Sequence, residues 1–61
     1  KEKVKNLIKK YERQLGRSER KEKELEARKD RLSIHGYWNL GYFAGRSSLY
    51  ADVIDDLNDL L

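Results

Sequence analysis

Apolar residues recur in the first half of the chain at alternating steps of four and three. This stripe is formed by Val4, Ile8, Tyr11, Leu15, Ser18, Glu22, Leu25, Lys29 and Leu32. The spacing is typical of a helix that packs along a narrow seam, as in a left-handed coiled coil. Six of the nine positions are apolar, and the polar ones do not lie at the start of the stripe. We therefore predict a helix over residues 2–32, with a seam that is weakest in its middle.

Gly16 lies close to the weak part of the seam. Glycine disfavours a helix interior by about 1 kcal/mol relative to alanine, so it marks a kink or a mobile point in the helix. The alternative is that the helix ends near Gly16 and Ser18 caps a second segment. The continuous helix is the favoured interpretation, and both stay open at this point.

The turn signal of the chain is "LSIHG", with the turn itself at residues 33–36. Gly36 suits the left-handed position that follows a helix end, and His35 suits a contact with the last carbonyls of the first helix. Ser33 suits equally well the cap of the next helix. A second helix over residues 36–61 follows from either interpretation.

The second helix has an apolar face that is too broad for one neighbour. At 3.6 residues per turn its large apolar residues cover an arc of about 200°, whereas the first helix offers only a narrow stripe. We therefore predict an all-α, antiparallel helical hairpin, coiled-coil-like, that dimerises into a four-helix bundle with the second helices at its centre. The residues assigned to the dimer interface and core are Phe43, Tyr50, Val53, Ile54, Leu57 and Leu61.

Gly41, Gly45 and Ser48 form a strip without large side chains on another flank of the second helix. One interpretation is a close helix crossing inside the bundle, since Gly-xxx-Gly spacing allows backbones to approach. The other is an open groove beside Trp38 and Tyr42 in which a partner docks, because Trp, Tyr and Arg are enriched at binding hot spots. The predicted partner-binding residues are Tyr37, Trp38, Gly41, Tyr42, Gly45, Arg46 and Leu49.

Composition narrows the possible classes of protein. With 61 residues and no cysteine, the chain forms one domain, residues 1–61, without disulfides or thiolate metal sites. A chain this short buries little surface alone, and oligomerisation is its remaining source of stability. We find no phosphate-binding loop, paired nucleophile or cofactor motif, so we predict no enzyme and no cofactor. No apolar run is long enough for a membrane span, and a cytoplasmic protein without membrane contact is expected.

The two halves of the chain carry opposite charge. Residues 1–32 hold thirteen Lys/Arg and seven Asp/Glu, a net of +6, and residues 33–61 hold one Arg and four Asp, a net of −3. An antiparallel hairpin is favoured because it places the acidic end beside the basic start. The Lys/Arg-rich first helix also allows a Rop-like RNA- or DNA-binding dimer. Its acidic residues at i+3 and i+4 favour a solvated, internally paired helix over a phosphate-binding one.

The segment "HGYWNLGYFAGRSSLYADVIDDL", residues 35–57, resembles the C-terminal part of short uncharacterised phage and prophage proteins of Gram-positive bacteria. The shared features are the Gly-Tyr-Trp-x-Leu-Gly-Tyr stretch at residues 36–42 and the pair Gly45–Arg46. The resemblance implies a viral accessory protein in the host bacterial cytoplasm, and many such proteins bind and disable a host protein. It implies no site residues.

From these observations we predict a non-enzymatic accessory protein that homodimerises. It is expected to bind and inhibit a host bacterial protein, for example an antiviral-defence component. The alternatives are the Rop-like nucleic-acid-binding dimer and a structural coiled-coil scaffold.

Overall fold

Two helices make up almost the whole molecule. The computed structural model describes residues 1–61 and contains helix α1, Glu2–Glu26, and helix α2, Ile34–Asp59, with a short 3-10 helix, Lys29–Arg31, between them. The helices pack against each other in a rod of 45 × 14 × 13 Å. The predicted all-α hairpin is therefore confirmed.

Contacts along the rod show that the helices are antiparallel. At the open end the ammonium of Lys1 donates to the carbonyl of Leu61 at 3.1 Å. Near the middle of α1 the rings of Tyr11 and Tyr50 lie 5.9 Å apart. The basic start of the chain thus lies beside its acidic end, as the charge pattern predicts.

The stripe of α1 packs on a matching stripe of α2. On α2 the inward positions are Leu40, Phe43, Ser47, Tyr50, Ile54 and Leu57, again at steps of three and four. The apolar core is small, because only Ile8, Leu25 and Tyr50 are buried among the apolar residues. Gly16 causes no break, since α1 runs through it as one helix.

The prediction of a first helix over 2–32 is wrong at its C-terminal end. Helix α1 stops at Glu26, although residues 26–32 are mostly strong helix formers. The chain must reverse direction to bring α2 against the stripe, and this tertiary requirement overrides local propensity. The side chain of Tyr37 fixes the connection, because its hydroxyl donates to the carbonyl of Lys29 at 2.7 Å.

The turn also differs from the one predicted at residues 33–36. Ser33 is the N-cap of α2, and its hydroxyl accepts from the backbone N–H of Gly36 at 3.2 Å. Gly36 is therefore helical, with no positive φ. It allows the side chain of Leu32 to pack closely, since a Cβ at Gly36 would lie 2.9 Å from a Leu32 methyl carbon. His35 belongs to the first turn of α2 and does not cap α1.

Candidate binding surface

Four exposed large apolar residues, Ile34, Trp38, Tyr42 and Leu49, lie on the side of α2 that faces away from α1. We call it the outer face of α2 and define it by Ile34, Trp38, Gly41, Tyr42, Gly45 and Leu49. Trp38 is 65% exposed, Leu49 58% and Tyr42 54%. Large exposed apolar residues that share one side of one helix, unlike scattered ones, are typical of an interaction surface.

The two glycines of the outer face lie outside the contact between the helices. A Cβ added to Gly41 or to Gly45 would meet no atom within 4 Å. Neither glycine is therefore needed for close packing of α2 against α1. Within a single hairpin they form the shallow part of an exposed surface, between the protruding side chains of Trp38 and Leu49.

Arg46 is held beside the outer face by two tyrosines. Its guanidinium donates to the hydroxyls of Tyr42 and Tyr50, and its carbon Cζ lies 5.3 and 5.2 Å from their ring centroids. The hydrogen bond that Arg46 donates to Tyr42, and then the one that it donates to Tyr50, raise the pKa of Arg46 above its usual value. Arg46 is thus a permanently charged residue whose orientation is restricted by aromatic neighbours.

Two other aromatic contacts position the start of α2. Tyr37 is about half exposed and donates to the connection between the helices, as described above. The rings of His35 and Trp38 meet edge to face, with centroids 5.4 Å apart. Of the predicted partner-binding residues, Tyr37 is therefore tied to the connection, while Trp38, Tyr42 and Leu49 point away from the hairpin contact.

The residues assigned to a dimer interface and core lie mainly on the side of α2 that meets α1. Tyr50 is buried, Phe43, Val53, Ile54 and Leu57 are half-buried, and Leu61 is exposed at the chain end. Packing on α1 thus uses most of these residues within one chain. Most of the large apolar side chains that stay exposed on α2 lie on its outer face.

The sequence pattern did not predict a pair of hydrogen-bonded serines at the centre of the hairpin. Ser18 is only 4% exposed, and its hydroxyl donates to the carbonyl of Phe43 at 2.9 Å while accepting from Ser47 at 2.9 Å. The pattern treated Ser18 as a defect of the stripe. The antiparallel register could have identified the pair, because it places Ser47, a second small polar residue on the stripe of α2, opposite Ser18.

The depressions on the surface of the hairpin are open and shallow. One of about 340 Å³ lies between the helices and is lined by Gln14, Arg17, Ser18, Phe43 and Arg46. No group of three or more His, Cys, Asp or Glu side chains is placed to hold a metal ion. Neither helix combines the length and the apolar character that a membrane span requires.

Comparison with protein families, with curated proteins and with solved structures revealed no significant similarity.

Proposed function

We propose that the protein is a non-catalytic binding protein and that it binds through the outer face of α2. The observation that carries this proposal is the exposure of Trp38, Tyr42 and Leu49 on one side of one helix. Burying a large apolar or aromatic side chain contributes about 1.5–3 kcal/mol, so these three side chains provide a substantial driving force for association. A tryptophan and a tyrosine are also residue types that dominate binding energy at interfaces.

The shape of the outer face favours an apolar helix as the bound element. Trp38, Tyr42 and Leu49 protrude, and Gly41 and Gly45 carry no side chain between them. A second helix with protruding side chains fits such a surface because its side chains pack over the glycines and the backbones approach closely. Helix α2 itself meets this description.

A second copy of the chain is therefore the first occupant that we propose. Antiparallel pairing of two α2 helices about a twofold axis at Gly45 sets Leu49 of each copy opposite Gly41 of the other. In this arrangement Asp56 and Asp59 approach the α2 N-terminus and the basic connection of the other copy. Acidic side chains are favoured at a helix N-terminus and beside cations. The result is a four-helix bundle with α2 at the centre and α1 outside.

A foreign protein is the second occupant. The resemblance of residues 35–57 to phage and prophage proteins points to a host bacterial protein, and an antiviral-defence component belongs to that class. Because the second copy and the host protein use the same surface, we propose that the host protein displaces one hairpin of the dimer. Inhibition would follow from occupation of the host protein's surface, without catalysis.

Sedimentation equilibrium of the full chain at micromolar to submillimolar concentration tests the proposal. We expect a dimer for the wild type and a folded monomer for the double variant Trp38→Ser/Leu49→Ser, because the double variant removes apolar area from the proposed interface. The matched control is Leu7→Ser/Leu61→Ser, which changes two exposed leucines outside the outer face. The control is expected to remain a dimer.

Two results would contradict the proposal. One is a wild-type chain that stays monomeric and folded throughout this range of concentration. The other is dissociation of the control to the same extent as the Trp38→Ser/Leu49→Ser variant, which would show that the outer face has no special part in association. Circular dichroism of each variant establishes that it has kept its helices.

A further inference from the structure

A row of cations follows the solvent side of α1. We call it the basic ridge and define it by Lys5, Lys9, Arg13, Arg17 and Lys21, all of which are exposed. Steps of four residues in an α-helix advance about 6 Å along the axis and about 40° around it, so the row is about 24 Å long and winds across the solvent side of α1 from one flank to the other. The row lies away from α2, because the apolar stripe of α1 faces α2.

The basic ridge is almost free of acidic partners. The molecule contains three ion pairs, and only one of them involves the ridge, between Lys21 and Glu24 at 3.7 Å. The helical positions of Glu12, Glu19 and Glu26, seven residues apart, place them together on a different flank of α1. The pairing at i+3 and i+4 that the sequence suggests is thus confined to Lys21–Glu24 and Glu26–Lys29.

Such a row is unfavourable for an isolated helix. Each i,i+4 pair of like charges destabilises a helix, and the basic ridge contains four such pairs in succession. An anionic ligand that spans several turns removes this repulsion, because its charges lie between the cations. The ligand that fits is therefore a polyanion with regularly spaced charges.

Arg46 adds a cation at the side of the basic ridge. Arg17 and Arg46 line the same open depression between the helices. The guanidinium of Arg46 donates to the hydroxyls of Tyr42 and Tyr50, so its orientation is restricted before a ligand arrives. The depression can accept one anionic group beside the row.

We infer that the basic ridge is a docking surface for the phosphate backbone of double-stranded nucleic acid. A duplex presents one charge per about 3.4 Å on each strand, which supplies anions along the whole length of the row. An anionic membrane is less suitable, because a helix that lies in a membrane surface needs an apolar face beside its basic one. The apolar face of α1 is used by α2. This contact reads no base sequence, since it reaches only phosphates.

Fluorescence anisotropy with a labelled mixed-sequence duplex tests the inference on the full chain. Over a range of about 50–200 mM salt, we expect the logarithm of the binding constant to fall with the logarithm of salt at a slope near −4 per hairpin. The double variant Arg13→Gln/Arg17→Gln is expected to reduce this slope by about two and to weaken binding at low salt by about tenfold or more.

The matched control is Lys23→Gln/Lys29→Gln, which removes the same charge from positions outside the basic ridge. It is expected to keep most of the affinity and of the salt slope. The variant Trp38→Ser/Leu49→Ser is expected to keep the binding of each hairpin. Failure of the outer-face proposal and failure of the present inference are therefore distinguishable.

Three results would overturn the inference. The first is no binding of the duplex at about 50 mM salt, where nonspecific phosphate contacts are strong. The second is equal loss of binding in the ridge variant and in the control, which would mean that binding of the duplex depends only on the net charge of the chain. The third is ridge-dependent binding to vesicles of anionic phospholipid together with no binding to the duplex.

Discussion

At the scale of single residues, the most informative position is Ser18. The stripe of α1 predicts an apolar residue there, yet Ser18 is buried, and its hydroxyl donates to the carbonyl of Phe43 and accepts from the hydroxyl of Ser47. A small side chain lets the two helices approach, and the two hydrogen bonds offset the cost of burying a polar group. Periodicity within one helix cannot reveal this, because the partners lie 25 and 29 residues away.

A double-mutant cycle tests whether the two serines act as a pair. We expect Ser18→Ala to lower the free energy of unfolding by about 1–2 kcal/mol, because it removes one donor and leaves Ser47 without its acceptor. Ser47→Ala should cost about 0.5–1.5 kcal/mol. The double variant should cost less than the sum of the two, since the residues share one hydrogen bond. Urea unfolding followed by circular dichroism measures all three.

The exposed neighbour Ser48 provides the control for this cycle. Ser48→Ala should change the free energy of unfolding by less than about 0.5 kcal/mol, because nothing is buried there. Strict additivity of Ser18→Ala and Ser47→Ala would show that the hydroxyl-to-hydroxyl contact contributes nothing.

At the scale of the helices, the sequence predicted the number, type and antiparallel order of the elements, but misplaced their ends. The spacing of the α1 stripe indicates a helix with one packing face, and the opposite charges of the two halves indicate that the helices run antiparallel. The end of α1 at Glu26 does not appear in local propensity, because residues 26–32 favour a helix. It depends on contacts across the connection, such as the hydrogen bond from Tyr37 to Lys29, which form only when α2 has docked.

The glycines of the two helices are expected to respond differently to alanine. Gly16→Ala should raise the free energy of unfolding by about 0.5–1 kcal/mol, because the position is helical and a Cβ there meets no atom within 4 Å. Gly45→Ala should stabilise the monomer equally, when measured in the Trp38→Ser/Leu49→Ser background. In the otherwise unchanged chain it should weaken dimerisation, since the proposed axis lies at Gly45. Thermal unfolding and sedimentation measure the two effects.

Gly36→Ala is the contrasting variant in this series. Its Cβ would lie 2.9 Å from Leu32 Cδ2 and 3.1 Å from Leu32 Cβ, so the gain in helix propensity is opposed by a clash. We expect it to be less stable than Gly16→Ala by about 1 kcal/mol or more. Equal stabilisation by both substitutions would show that Leu32 moves aside freely.

At the scale of the whole molecule, the sequence predicted that one hairpin leaves apolar surface uncovered, but it did not decide which part of the apolar arc of α2 is covered by α1. The apolar arc of α2 is about twice as wide as one partner helix can cover, and its width does not determine where α1 sits on it. In the structure α1 lies on the side of Tyr50, which leaves Trp38 and Leu49 exposed. The candidate surface is therefore defined by the position of α1, which arises from the fit of the two stripes.

The same geometry predicts that stability depends on protein concentration. Only three apolar residues are buried in the hairpin, so a lone hairpin is expected to be marginally stable. If two hairpins cover each other's outer face of α2, mass action raises the Tm with concentration, by about 3–6 °C for each tenfold increase. Circular dichroism melts over a hundredfold range of concentration measure this.

The variant Trp38→Ser/Leu49→Ser should melt at a lower Tm that does not change with concentration, whereas the Tm of Leu7→Ser/Leu61→Ser should still rise with concentration. A wild-type Tm that is high and independent of concentration would mean that the small core of one hairpin is sufficient, and that a second copy does not cover the outer face of α2.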